Sequence, residues 1–233
     1  MDVYNIRNSD HVVIYAREGA IFTPRTWFLF RSMGHNPQKI HLMQGSLEEW
    51  IDQGGQVDNT AATIVQRARN VVANISNNND NDDDDISFYL ANDSTNVCTM
   101  ENVLDAIGGS EQYSSPILIL DSRGSSFAQG QMPFAVHVPY RELIDENNAL
   151  RMKNRRGLLE AFTKAGVDED VLLAEDQTIV CSCGSGVSAC HLFLALELCG
   201  RNVWNGNNNT LMYDGSWAEW RMEESNPKVV TDT

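Results

Sequence analysis

The chain repeats itself, and that repeat constrains its fold more than any other feature of its 233 residues. "DHVVIYAREGAIFTPRTWFLFRSMG", from Asp10, and "DQTIVCSCGSGVSACHLFLALELCG", from Asp176, align without gaps at the offset 176 − 10 = 166. Val13 then meets Ile179, Trp27 meets Phe193 and Gly34 meets Gly200. A second shared stretch follows each copy, "QGSLEEW" at 44–50 and "DGSWAEW" at 214–220, at the offset 214 − 44 = 170. The second copy therefore carries four extra residues, placed within "NGNNN" at 205–209. Each copy reads as a short β-branched strand (12–15; 178–181) and a loop, then an amphipathic helix stopping at Gly. Another short strand and a Gly-Ser turn into a Trp-bearing helix complete the copy. Strands alternating with helices predict an α/β fold with a parallel sheet covered by helices on both faces.

The second copy has one more strand in front, "PILILDSRG" at 116–124, which ends in Asp121-Ser122-Arg123. Its counterpart in the first copy would fall at 121 − 166 = −45, so the first copy is expected to lack its amino-terminal half. A truncated parallel sheet should leave an apolar edge and face exposed and lead to low stability or self-association. Between the copies, "NISNNNDNDDDD" at 74–85 has one large apolar residue, Ile75, and cannot bury enough surface to offset the entropy of ordering. It reads as a linker dividing 1–73 from 86–233; a long surface loop within one domain is the alternative.

Net charge is −15, with Asp80 and Asp82 to Asp85 in one run, which disfavours nucleic-acid backbones and anionic membrane surfaces as partners. No apolar stretch approaches the ~20 residues of a membrane helix. The opening "MDVYNIRNSDH" lacks the basic start and apolar segment of a secretory signal. Cysteines are odd in number, five, and four of them (181, 183, 190, 199) share one segment, which points to reduced thiols inside a cell.

The chemistry-bearing stretch is "CSCGSGVSACH" at 181–191. A loop between a strand and a helix gathers backbone N–H groups and a helix amino terminus on one point and favours negative charge there. Cys183 opens that loop, where a thiolate is stabilised without a base. Gly184, Ser185 and Gly186 allow a tight curl, and Val187 and Ser188 lead into the helix. Cys181, ending the strand, should pack into the sheet; a redox pair with Cys183 is the sharper alternative. Cys190 and Cys199 read as packed residues, and no cysteine spacing matches a zinc site. No Lys is present for a phosphate-binding loop, Cys183 stands where a serine-hydrolase elbow needs Gly, and Ala189 stands where a cysteine phosphatase needs Arg. His191 reads as a packed or surface residue rather than a base. Arg123, at a strand end, suits either an anion or an ion pair within its own copy. In the first copy the place of Cys183 falls to Arg17 (183 − 166), which rules out a nucleophile there.

These stretches resemble the rhodanese superfamily. "CGSGVSA" at 183–189 is similar to the family's catalytic loop, with Ser188 in place of Thr. "YDGSWAEW" at 213–220 resembles the carboxyl-terminal signature of two-domain sulfurtransferases, and "FTPRTWFLFRSMGH" at 22–35 a segment of their inactive first domain; "DSRG" at 121–124 and "VPY" at 138–140 are further matches. The resemblance implies a duplicated rhodanese-like fold and two-step sulfur transfer through a persulfide on Cys183. The loop 184–188 and Arg123 would surround an anionic donor, with no metal or organic cofactor. The uncharged Gly184-Ser185 points toward 3-mercaptopyruvate rather than thiosulfate. A thiol such as thioredoxin or glutathione would be the acceptor, in cytoplasm or mitochondria. Departures are Ser126 before Phe127, where the family supplies an Arg, and Gln131 and Phe134 in the turn at 130–135. They leave open a persulfide carrier or scaffold in place of an enzyme, or a missing half encoded upstream.

Overall fold

The computed structural model describes residues 6–58, 96–108 and 117–230, apart from 205, 207 and 208. The 74–85 segment expected to join the copies lies outside the described residues.

The second copy is built on a five-stranded, all-parallel sheet in the order β3-β9-β8-β4-β5: β3 (Val97–Cys98), β9 (Thr210–Tyr213), β8 (Ile179–Ser182), β4 (Leu118–Asp121) and β5 (Ala135–His137). Alternation assigns its two faces. Leu120, Ile179, Cys181 and Met212 join the core on one side, whereas Ile119, Val180, Leu211 and Tyr213 join that on the other. Both faces are buried, as a parallel sheet requires. The first copy contributes the parallel pair β1 (Val12–Ala16) and β2 (Ile40–Ser46), bridged by α1 (Thr23–Ser32) and followed by α2 (Leu47–Asp52). On its outer side Val13 and Tyr15 are more than half exposed, the apolar surface expected of a short sheet. The second copy's helices are α3 (Met100–Ile107), α4 (Arg155–Lys164), α5 (Glu169–Leu173), α6 (Ala189–Leu198) and α7 (Ser216–Trp220), and an antiparallel hairpin, β6 (Ile144–Asp145) and β7 (Asn148–Met152), precedes α4.

The two helices that the 166 offset aligns end with the same bonds. At the end of α1, Met33 N–H donates to Leu29 C=O, Gly34 to Arg31 and His35 to Phe30; at the end of α6, Cys199 donates to Ala195, Gly200 to Glu197 and Arg201 to Leu196. Each pair is 166 apart. Gly34 (φ 86°) and Gly200 (φ 101°) supply the left-handed residue that closes both ends. Helices α1 and α6 pack on each other, and equivalent residues meet: Trp27 and Phe193 rings lie 6.4 Å apart, and Arg31 Nη1 lies 3.5 Å from Glu197 Oε1. Contact of like with like is the mark of a pseudo-twofold interface. Phe28 against Phe193 (5.0 Å) and Arg31 over Trp204 (4.7 Å) complete the seam.

Phe134 is out of place in its turn. The turn is closed by Ala135 N–H on Met132 C=O, and Phe134 takes φ 60° while 73% exposed. A left-handed L-residue costs about 1–2 kcal/mol, and an exposed ring returns little of it. Phe134→Gly is expected to raise unfolding stability by about 0.5–1 kcal/mol in chemical denaturation; an unchanged or lower midpoint would refute the strain.

Candidate active site

Strand β8 is the centre of the sheet, and its carboxyl end delivers Cys183 to the loop 183–188 at the amino end of α6. Cys183 is 2% exposed, and the Ser185 N–H donates to its Sγ at 3.4 Å. The loop is held by a residue distant in sequence. Ser216, fully buried with φ 53°, accepts the N–H groups of Cys183 (3.1 Å) and Gly186 (3.2 Å), donates to Tyr213 C=O (2.7 Å), and sits 4.0 Å from Cys183 Sγ. The amides of Cys183 and Gly186 are thus spent on a hydroxyl, and the curl is fixed by a template rather than by the sulfur. Carbonyls on the other side are anchored to α7: Trp217 N–H donates to Cys183 C=O at 3.0 Å and Ala218 N–H to Gly184 C=O at 2.9 Å.

The loop residues divide by role. Gly186 has φ 79°, and a Cβ there would collide with Asp214, whose carbonyl oxygen would lie 2.7 Å away. Gly184 is not confined in this way: among the described residues nothing lies within 4 Å of where its Cβ would be. Ser185 is exposed and Val187 half-buried; Ser188 stands just before α6, its Oγ 2.9 Å from Ser122 Oγ rather than on the helix's amides.

Arg123 is the ion pair and not a free cation. Its Nε lies 2.9 Å and 3.1 Å from the two oxygens of fully buried Asp121, Nη2 reaches Asp121 and the Gly130 carbonyl (both 2.9 Å), and the guanidinium packs over Trp217 (4.8 Å) and Phe127 (5.4 Å). With 5% of its side chain exposed it is turned inward.

Burial pushes Cys98 and Cys190 up to about 12, Cys199 to about 11, and Cys181 upward as well, so these stay protonated. Cys181, fully buried in the sheet, is packed as expected, and all five cysteines are free thiols. Among the described residues no three His, Cys, Asp or Glu side chains converge to hold a metal ion, and no helix is long and apolar enough to cross a membrane.

His191 is buried against Tyr140 (5.1 Å) and lines a small cavity with Thr23, Gln44 and Leu194. Among the described residues its Nδ1 has no hydrogen-bond partner, and burial lowers its pKa to about 4. A base depressed by burial is neutral in the fold, so its contribution is complete above about pH 6.5 and declines as pH falls toward 4, by up to about 1.4 kcal/mol per pH unit. His191→Phe is expected to flatten that acid limb in denaturation measured from pH 7 to 4; parallel curves for the two proteins would sink the assignment.

The equivalent loop of the first copy is filled from within. Glu48, on α2, accepts Arg17 Nη1 and the Glu18 N–H, both at 3.0 Å. Those bonds, the Glu18 N–H first, hold the Glu48 carboxyl below its usual range. Where the second copy presents a thiol, the first presents its own carboxylate. Sequence reasoning missed this, along with Ser216 and the Arg25–Asp214 pair that ties α1 to the turn before α7. The repeated Gly-Ser turn was the available signal for Ser216: its counterpart Ser46 caps α2, accepting the Glu49 N–H at 3.1 Å.

Comparison with known proteins agrees with this architecture. Residues 100–223, just over half the chain, match the rhodanese-like domain. The chain is 27% identical over 227 residues to thiosulfate sulfurtransferase of Gallus gallus (92% of this chain, 65% of that protein). It is 25% identical over 236 residues to 3-mercaptopyruvate sulfurtransferase of Mus musculus (95% and 66%). It spans just under two thirds of these relatives' length. The fold is shared with Tum1 of Saccharomyces cerevisiae (TM-score 0.66, 19% identity, 97% of this chain and 70% of that one). It is shared also with EanB (TM-score 0.71, 13% identity, 100% and 53%). A central parallel sheet that ends in a cysteine loop at a helix amino terminus, repeated in part within one chain, fits that match: the chain belongs to the rhodanese-like family.

Proposed function

We propose that this protein is a sulfurtransferase that moves sulfur from a small anionic donor to a thiol through a persulfide on Cys183. One observation carries the reading: the Cys183 sulfur stands at the carboxyl end of the central strand, before the amino end of α6, with the Ser185 N–H on it. Negative charge on that sulfur is favoured by the N–H and by the helix end in both halves of the reaction. In the first half the Cys183 thiolate attacks the donor sulfur. With 3-mercaptopyruvate the donor's C–S bond breaks, its electron pair leaves as the enolate of pyruvate, and the enolate takes a proton. In the second half an acceptor thiolate of the thioredoxin or glutathione kind attacks the outer sulfur, the S–S bond breaks and the Cys183 thiolate returns.

Both sulfurtransferase kinds among the relatives have anionic donors by name. The uncharged Gly184 and Ser185 favour 3-mercaptopyruvate over thiosulfate. The unit 1–73 would act as an inert wall, since Arg17 and Glu48 close its own loop. A second reading, a persulfide carrier with slow turnover, is favoured by Arg123, whose engagement with Asp121 removes one cation from donor capture.

The protein is to be incubated with 3-mercaptopyruvate, or with thiosulfate, and a thiol. Pyruvate from 3-mercaptopyruvate, or sulfite from thiosulfate, formed together with sulfide over many turnovers supports the enzyme. A mass gain of one sulfur on the Cys183 peptide without turnover supports the carrier. Neither product nor mass gain refutes both.

A further inference from the structure

The ion pair between Arg25 and Asp214 joins the two copies beside the Cys183 loop, across 189 positions of sequence. Arg25 lies in the first turn of α1, and Asp214 in the turn between β9 and α7. Asp214 packs directly on Gly186, with its backbone and one carboxylate oxygen filling the space a Cβ would need. Gly186 is one of the two amides that Ser216 fixes, and its carbonyl accepts the Cys190 thiol at 3.4 Å. A carboxylate is therefore built into the wall of a loop that concentrates negative charge on sulfur. Left uncompensated, it would repel both an anionic donor and an anionic persulfide. Arg123 does not offset it, being bound to Asp121.

We propose that Arg25 is a specificity-determining residue acting through Asp214: it neutralises the carboxylate against Gly186, so that the Cys183 loop admits anionic sulfur donors. The first copy thereby supplies the charge that the second copy's own loop lacks. This inference rests on Cys183 being the reactive thiol, and the test separates the two.

Iodoacetate and iodoacetamide differ in charge and little in size, so the ratio of their rates at Cys183, followed by peptide mass spectrometry on the full chain, reports local potential. Thiol ionisation and access divide out of it. Arg25→Gln is expected to lower the iodoacetate-to-iodoacetamide ratio about threefold, and Asp214→Asn to raise it by a similar factor, as a unit charge in a partly solvated site would. The double variant should return near the wild-type ratio, and Arg25→Lys should keep it. A purely mechanical clamp predicts shifts of the same sign in both single variants, or none, and either result overturns the inference. Should Arg25→Gln fail to fold, Asp214→Asn alone decides, since a ratio that falls or stays level is the wrong sign. If Cys183 is not labelled in the wild type while other cysteines are, the reading of Cys183 fails, and this inference with it.

Discussion

Replacing Cys183 by serine is expected to abolish turnover, by at least about a thousandfold, while leaving the fold intact. The hydroxyl fits the space of the thiol and can still accept the Ser185 N–H, and the bonds that anchor the loop's backbone do not involve sulfur: Ser216 holds the amides of residues 183 and 186, and α7 holds the carbonyls of 183 and 184. What is lost is chemical, because a serine hydroxyl is not ionised at neutral pH and cannot carry a transferable sulfur. The measurement is pyruvate release from 3-mercaptopyruvate alongside intact mass after donor treatment. Residual activity within tenfold of wild type, or a sulfur adduct retained by Cys183→Ser, would show that another thiol acts. The four other thiols are poor substitutes, since burial raises each of them toward the protonated form.

The largest stability effect is expected at Asp121. Asp121→Asn leaves the Arg123 guanidinium buried without its counter-charge, a change of about 3–5 kcal/mol. For a chain of this size that is a fall in melting temperature on the order of 10 °C. The loss should extend beyond the pair, because Arg123 also braces the Gly130 carbonyl and the Trp217 ring, and Trp217 N–H anchors Cys183 C=O. The double variant Asp121→Asn, Arg123→Met, with no buried charge left, should recover much of the stability. Calorimetry on the three proteins tests this; a single variant within about 1 kcal/mol of wild type would mean that the pair is solvated in practice.

Much of this was legible in the residues because it is local. The strand, loop and helix around Cys183 are contiguous, and Gly34 and Gly200 end their helices by the same short-range bonds, so a gapless offset in sequence becomes an equal offset in structure. Burial of both sheet faces follows from the unbroken apolar runs of β4 and β8. Arg123 was ambiguous for a physical reason: a cation at a strand end is equally suited to a ligand or to a carboxylate two residues away, and only the packing of Trp217 and Gly130 decides. Phe134 and Gly184 show the opposite limit, since sequence shows which residue is present but not whether its conformation needs it.

By itself, then, the sequence determined the α/β class, the matching helix ends at Gly34 and Gly200 and which thiol opens the loop, since each depends on neighbours within a few turns of chain. Tertiary structure decided what surrounds that thiol. Ser216 templates the loop from 33 residues away, Arg25 reaches Asp214 from the other copy, and Glu48 closes the first copy's loop from 31 residues beyond Arg17. Such contacts are set by how sheets and helices stack, and a hydroxyl or charge gains its role only where the fold brings it within hydrogen-bonding distance of its partner.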